Sequence, residues 1–184
     1  SRNGNDSFGD FFSKLGLATK SKQNVTPESA MQSTAVYACV RVLAETIASL
    51  PLMIYRRKAD GGREPAQEHY LYHILHDIPN PQQSSFEYRE MLMGHISLRG
   101  NAYSYLEREN STRIVNIYPL NPALMAVKLL NGKLVYEYSP LSEPARIYSE
   151  DDIWHWKGLS NDGIVGLSPI SLAREAIGIG LSAE

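Results

Sequence analysis

Three histidines in "HYLYHILHD" stand at His69, His73 and His76, with Asp77 directly after the last. On a helix, i, i+4 and i+7 put imidazoles on one face, where zinc accepts nitrogen ligands, and a metal-dependent hydrolase is the activity such a set would serve. A zinc-protease helix, however, carries His-Glu-x-x-His, and Tyr70 follows His69 where the glutamate belongs. The three also spread over nearly two turns, too far for one rigid helix to bring them all to one ion. Packing or surface histidines are the expectation, with the hydrolase built on His69, His73 and His76 as the alternative.

Other stretches invite a search for chemistry and fail it. "GLSPI" sets Ser168 two residues after Gly166, as in a nucleophile elbow, but Ile170 takes the second glycine's place. Pro169 also removes the amide that would serve an oxyanion hole, so Ser168 reads as a helix N-cap. "GLSNDGIVG" has the glycines of a nucleotide loop but neither Gly-x-Gly-x-x-Gly nor Gly-Lys-Ser/Thr. Asp151 and Asp152 beside Glu150 precede a strand, where neighbours point opposite ways, and read as solvated turn acids. Arg99-Gly100-Asn101 separates a helical pattern from a strand pattern. No strand precedes it and no helix N-terminus follows it to cradle phosphate. Gly100 suits a left-handed cap, and Arg99 the carbonyl end of the helix dipole. The residues therefore predict no catalytic, cofactor-binding or metal site, and no cofactor.

The elements that would position any site follow from periodicity. Thr26-Pro27-Glu28 opens a helix, and Val36, Val40, Leu43, Ile47 and Leu50 give it a stripe that Cys39 and Ala44 widen, until Pro51. Cys39 reads as a buried filler. "LMIYR" is a short strand, and a second helix covers roughly Glu68 to Asp77. Ser84 with Glu87 forms a capping box for a third, with Tyr88, Met91, Leu92, His95 and Ile96 on one face, ending near Leu98. "AYSYLER", "RIVNIYPL", "MAVKL", "LVYEY" and "IWHWK" are strands, and Asn131-Gly132 turns a hairpin. From Ser168-Pro169 a helix with Ile170, Ala173, Ile177 and Leu181 on its apolar face runs to Glu184 without a stop signal. Residues 1–24 hold only Phe8, Phe11, Phe12 and Leu15 at helical spacing among polar residues, and are expected to form a mobile arm that docks on a neighbour. The fold class is α+β, with helices on a mostly antiparallel sheet. Its parts are an arm over 1–24, a main domain over 25–166 and the start of a helix over 167–184.

Composition sets the bounds. Of 184 residues, 43% are apolar and 21% charged, enough for a packed core in one domain. No apolar run approaches the roughly 20 residues of a spanning helix, the polar start does not look like a secretory signal, and the single cysteine excludes an internal disulfide framework and suits a reducing compartment. Eighteen basic residues face 20 acidic ones, for a net charge of −2. A DNA clamp needs clustered Lys and Arg to displace phosphate counterions, and the one dense basic run, Arg56 to Arg63, reads as a solvated turn.

Taken in order, "STAVYACVRVLAETIASLPLMIYRR", "HYLYHILHDIPNPQQSSFEYREMLMGHISLRGNAYSYLERE", "IYPLNP" and "DIWHWKGLSNDGIVGLSPISLAREAIG" closely resemble the phage portal protein family, in the branch named for a Hong Kong coliphage. The likeness runs from about Ser29 to Glu184 and leaves out residues 1–24. It implies a subunit of a ring, usually of twelve copies, at one capsid vertex of the virion, assembled in the host cytoplasm. Double-stranded DNA passes through such a ring without sequence specificity. The implied partners are the terminase large subunit, the head–tail connector, capsid and scaffold proteins, and further copies of the chain, with no membrane. It also implies no catalysis, since ATP hydrolysis belongs to the terminase.

Within that family these residues correspond to the outer α+β wing, and the helix from Ser168 leads toward the stem. The clip, remaining stem and crown have no counterpart, and a fragment without the stem need not assemble. Tyr37, Tyr55, Tyr103, Tyr105 and Tyr118 are candidate subunit surface, although core is the favoured expectation. Arg99 reaching a neighbouring subunit is a further one. A monomeric binding module with a wing-like fold is the other alternative.

Overall fold

The computed structural model describes residues 25–183. The arm expected over 1–24 lies outside them. The helices are α1 (Pro27–Ala30), α2 (Thr34–Ser49), α3 (Tyr70–His76), α4 (Ser85–Arg99), α5 (Pro169–Leu172) and α6 (Arg174–Ala183). The strands are β1 (Tyr55–Arg57), β2 (Arg63–Pro65), β3 (Asn101–Glu109), β4 (Arg113–Leu120), β5 (Met125–Leu130), β6 (Lys133–Tyr138), β7 (Arg146–Ser149) and β8 (Ile153–Lys157). Every strand pair among the described residues is antiparallel, and the fold is α+β.

The molecule is layered around β3. Strand order β4-β3-β8 makes one sheet and β5-β6-β7 another. Because side chains alternate along a strand, Ala102 and Leu106 of β3, Ile117 of β4 and Trp154 and Trp156 of β8 pack on one face against Ile74 of α3 and Tyr88 and Leu92 of α4. Tyr103 and Ile153 leave the opposite face and meet Tyr136 of the second sheet. Ser104, fully buried, is matched by the Tyr88 hydroxyl at 2.7 Å. Of the candidate interface tyrosines, Tyr103 is core, Tyr105 and Tyr118 are half-buried, and Tyr37 and Tyr55 are about half exposed.

Local signals decide the ends of α4. The Ser84 hydroxyl accepts from the Glu87 amide at 3.3 Å, and the Glu87 carboxylate accepts from the Ser84 amide at 2.7 Å. Gly100 closes the helix at φ 76°, with its amide on the Ile96 carbonyl. The basic run is a hairpin turn between β1 and β2, and Arg56 and Lys58 both pair with Glu64.

Four expectations need correction. The helix from Thr26 is two: Thr26 caps α1 in a box with Ser29, Met31–Ser33 breaks the run, and buried Ser33 starts α2 anew. The helix from Ser168 is also two, interrupted at Ala173. Cys39 is exposed, because α2 seats itself through the small, four-spaced residues Val40, Ala44 and Ala48, which leaves Leu43, Ile47 and Leu50 at 50%, 43% and 59% exposure. His69 lies before its helix, as the N-cap of α3.

Candidate functional site

The most elaborate polar construction lies where α4 turns into β3, at Arg99-Gly100-Asn101. The Asn101 amide nitrogen donates to the Gly166 carbonyl at 2.8 Å and to the Arg99 carbonyl at 3.1 Å, while its oxygen accepts from the Gly166 amide at 2.7 Å. The Gly158 amide donates to the Gly100 carbonyl at 2.9 Å, and the Ser168 hydroxyl to the Leu98 carbonyl at the same distance. A loop 65 residues away is thus clasped to the helix–sheet corner just before it enters α5 and α6. Glycine is required on both sides: a methyl at Gly100 would overlap the Leu167 carbonyl, and one at Gly166 the Gly100 carbonyl.

The loop is knitted from within as well. The Asp162 carboxylate accepts from the amides of Ile164 and Val165 at 2.7 and 3.0 Å, which hold its pKa below the usual range. The Ser160 hydroxyl accepts from the Gly163 amide and donates to the Val165 carbonyl. These bonds hold the turn together from within.

Behind the clasp sits His155. Its Nε2 is 3.0 Å from the Asn101 oxygen, which already faces the Gly166 amide as an acceptor, so Nε2 carries the proton and donates. Nδ1 then faces the Tyr136 hydroxyl at 3.4 Å. Burial, with Lys157 nearby, pushes His155 down to about 4, and burial with Arg99 does the same to His95. Both are neutral near pH 7; His155 faces Asn101 and Tyr136, and among the described residues the buried Nδ1 of His95 has no hydrogen-bond partner.

The predicted chemical residues do not converge. The His69 ring accepts from the Leu71 amide at 3.3 Å and stacks on Tyr70. His73 and His76 both face Asp77, at 3.0 and 2.6 Å, and hold its carboxyl below the usual range, His76 contributing more. Among the described residues no group of three or more His, Cys, Asp or Glu is placed to hold a metal ion. Ser168 caps α5 through the Ser171 amide. The Asp152 carboxylate accepts from the Ser149 amide and hydroxyl, in a turn. Arg99 pairs with Glu28 of its own chain. No described helix is long and apolar enough to cross a membrane.

Sequence reading placed the Gly100 cap but missed the clasp. Asn101 at a helix–strand corner gives no local sign that its partner is Gly166; only the glycine spacing of "GLSNDGIVG" hinted at a close backbone approach.

A sequence model of the family described as phage portal protein matches residues 34–184. The chain belongs to the phage portal protein family. It is 32% identical over 162 residues to the portal protein of Enterobacteria phage HK97, covering 88% of this chain and 38% of that one. It is also 32% identical over 183 residues to the probable portal protein of Streptomyces phage phiC31, covering 92% and 39%. The chain thus spans about two fifths of the length of these portal relatives. In fold it is similar to a chain from the neck of an empty gene transfer agent (GTA) particle computed with sixfold symmetry, at a TM-score of 0.71 and 24% identity over 85% of this chain and 44% of that one. The resemblance carried by the motifs from Ser29 onward is therefore a family membership, and the clasp lies inside the matched region.

Proposed function

We propose that this chain is the wing portion of a portal subunit, a structural part with no catalysis or cofactor of its own. In the whole protein it forms a ring, most simply of twelve copies, at one capsid vertex of the virion, put together in the host cytoplasm. Double-stranded DNA passes through that ring without sequence specificity. The terminase large subunit, the head–tail connector and the capsid and scaffold proteins are its partners. Residues 1–24 act as an arm, 25–166 as the wing, and 167–184 as the lead into the stem.

The family match over residues 34–184 carries this reading. The geometry supports it, because the polar residues serve caps, turns and the Asn101 clasp, which suits a part that must hold a departing helix at a fixed angle. The charge balance, 18 basic against 20 acidic, suits a conduit, since a basic chain would grip sliding DNA. A head-to-tail contact that closes on itself generates such a ring.

The test is genetic. A phage carrying a stop codon early in this gene should make no DNA-filled heads, and the gene product should appear in purified virions at about twelve copies. DNA-filled heads without the product would reject the proposal.

A further inference from the structure

The β1–β2 hairpin has one face with its charges matched and one without. Side chains alternate along a strand, so the register Tyr55↔Pro65, Arg56↔Glu64 and Arg57↔Arg63 sorts them onto two faces. On one face Arg56 pairs with Glu64 and Glu68, and Lys58 with Glu64. On the other, Arg57 stands directly opposite Arg63. Both are exposed, and neither forms an ion pair among the described residues. Like charges directly across a strand pair destabilise it, so the hairpin holds a repulsion that an acidic partner would relieve. Tyr55, 51% exposed, lies beside them on the same face, and tyrosine with arginine is the composition of interface centres.

The counter-charge stands in the same chain, on the opposite flank. The turn between β7 and β8 is pinned by Asp152, which accepts from the Ser149 amide and hydroxyl at 3.1 and 2.6 Å. The Arg108 guanidinium donates to the Asp151 carbonyl at 2.8 Å. These bonds fix the backbone of the turn and leave Glu150 and Asp151 exposed, with no ion pair among the described residues. In the sheet β4-β3-β8 the turn adjoins β8, and the Leu106 amide of β3 donates to the Asp152 carbonyl. The hairpin belongs to the β4 side. Arg56 reaches Glu68, just before α3, and Tyr70 of α3 lies under the Arg113 guanidinium of β4 at 5.3 Å. Two exposed arginines thus flank one edge of the sheet, and two exposed carboxylates the other.

A ring closes when each subunit offers two different surfaces that fit each other. We propose that Arg57 and Arg63 of one copy pair with Glu150 and Asp151 of the next copy, with Tyr55 packed beside them. The assignment rests on the ring proposal. The chain supplies both halves of this contact, so no outside partner is needed to complete it. DNA fits the hairpin poorly, because its four basic side chains stand against Asp60, Glu64 and Glu68, too near balance for the phosphate grip of a basic cluster.

The test is ring formation by the full-length gene product, followed by native mass and negative-stain images over a range of protein concentrations. Arg57→Glu/Arg63→Glu sets like charges across the contact and should raise the concentration needed for rings about tenfold or more. Glu150→Lys/Asp151→Lys should do the same, and the four changes together should restore assembly toward the unaltered level. Circular dichroism confirms that each variant is folded. Rings that form at an unchanged concentration with Arg57→Glu/Arg63→Glu would overturn the contact while leaving the ring proposal intact. A defect that Glu150→Lys/Asp151→Lys does not repair gives the arginines another partner and overturns it too. Absence of rings from the unaltered protein, with its capsid and scaffold proteins present, would reject the ring proposal itself and the contact with it.

Discussion

Asn101 and Gly166 face each other like paired residues in a β-ladder: one side-chain amide donates to and accepts from one backbone unit, at 2.8 and 2.7 Å. The pairing joins two segments that strand pairing leaves unjoined, the α4–β3 corner and the loop that launches α5 and α6. It holds because Gly100 and Gly166 carry no side chain to keep the backbones apart.

Replacing Asn101 by Ala removes both bonds to Gly166, together with those to the Arg99 carbonyl and His155 Nε2, and leaves two backbone groups of Gly166 without that partner. The expected loss is about 2 kcal/mol of stability, read from the urea midpoint. Faster amide exchange should be confined to 158–168. Uniformly faster exchange would mean that the clasp is not local.

Two left-handed glycines separate conformation from contact. Gly132, φ 77° in the β5–β6 turn, has open space where a methyl would go, whereas Gly100, φ 76°, has the Leu167 carbonyl. Gly132→Ala should cost about 1–2 kcal/mol, the price of the backbone conformation alone. Gly100→Ala should cost several times more and release the loop. Equal thermal shifts for the two variants would contradict the close approach.

Acid should loosen the protein in a defined window. His95 and His155 titrate near 4 when folded and near 6.5 when unfolded. Their folded pKa is depressed, so the unfolded chain binds more protons between those values. Stability is complete above about pH 6.5 and falls as pH drops toward 4. Allowing for partial solvent screening, the pair accounts for about 2–4 kcal/mol. Urea midpoints at pH 7 and pH 4.5 should differ accordingly, and His155→Gln should flatten part of the slope. A midpoint that is flat or rises toward acid would contradict the buried neutral rings.

The histidine run should behave as a helix start and not as a metal site. His69→Ala should cost no more than about 1 kcal/mol, the loss of a cap, and excess zinc should leave the thermal midpoint unchanged. Stoichiometric zinc, measured by elemental analysis, would revive the hydrolase.

What could be read from sequence was what is local. The capping box of Ser84 and Glu87, the cap at Gly100 and the Asn131-Gly132 hairpin depend on residues within a few positions of each other, and all three stand in the structure. The break at Met31–Ser33 was hidden because the apolar spacing runs across it, and Ser33 holds the N-cap position of α2 without a side-chain capping bond. The exposure of Cys39 follows from how α2 lies on α4, a choice made by Ala44 and Ala48 that the stripe alone does not reveal. The clasp was out of reach for a plainer reason: Asn101 and Gly166 stand 65 positions apart, so no local pattern links them.

The most direct test of the portal reading is the native mass of the full-length gene product, with negative-stain images of the same sample. The account predicts closed rings with a central hole, at a mass of about twelve subunits. A stable monomer at high concentration, in the presence of its capsid and scaffold proteins, would contradict it.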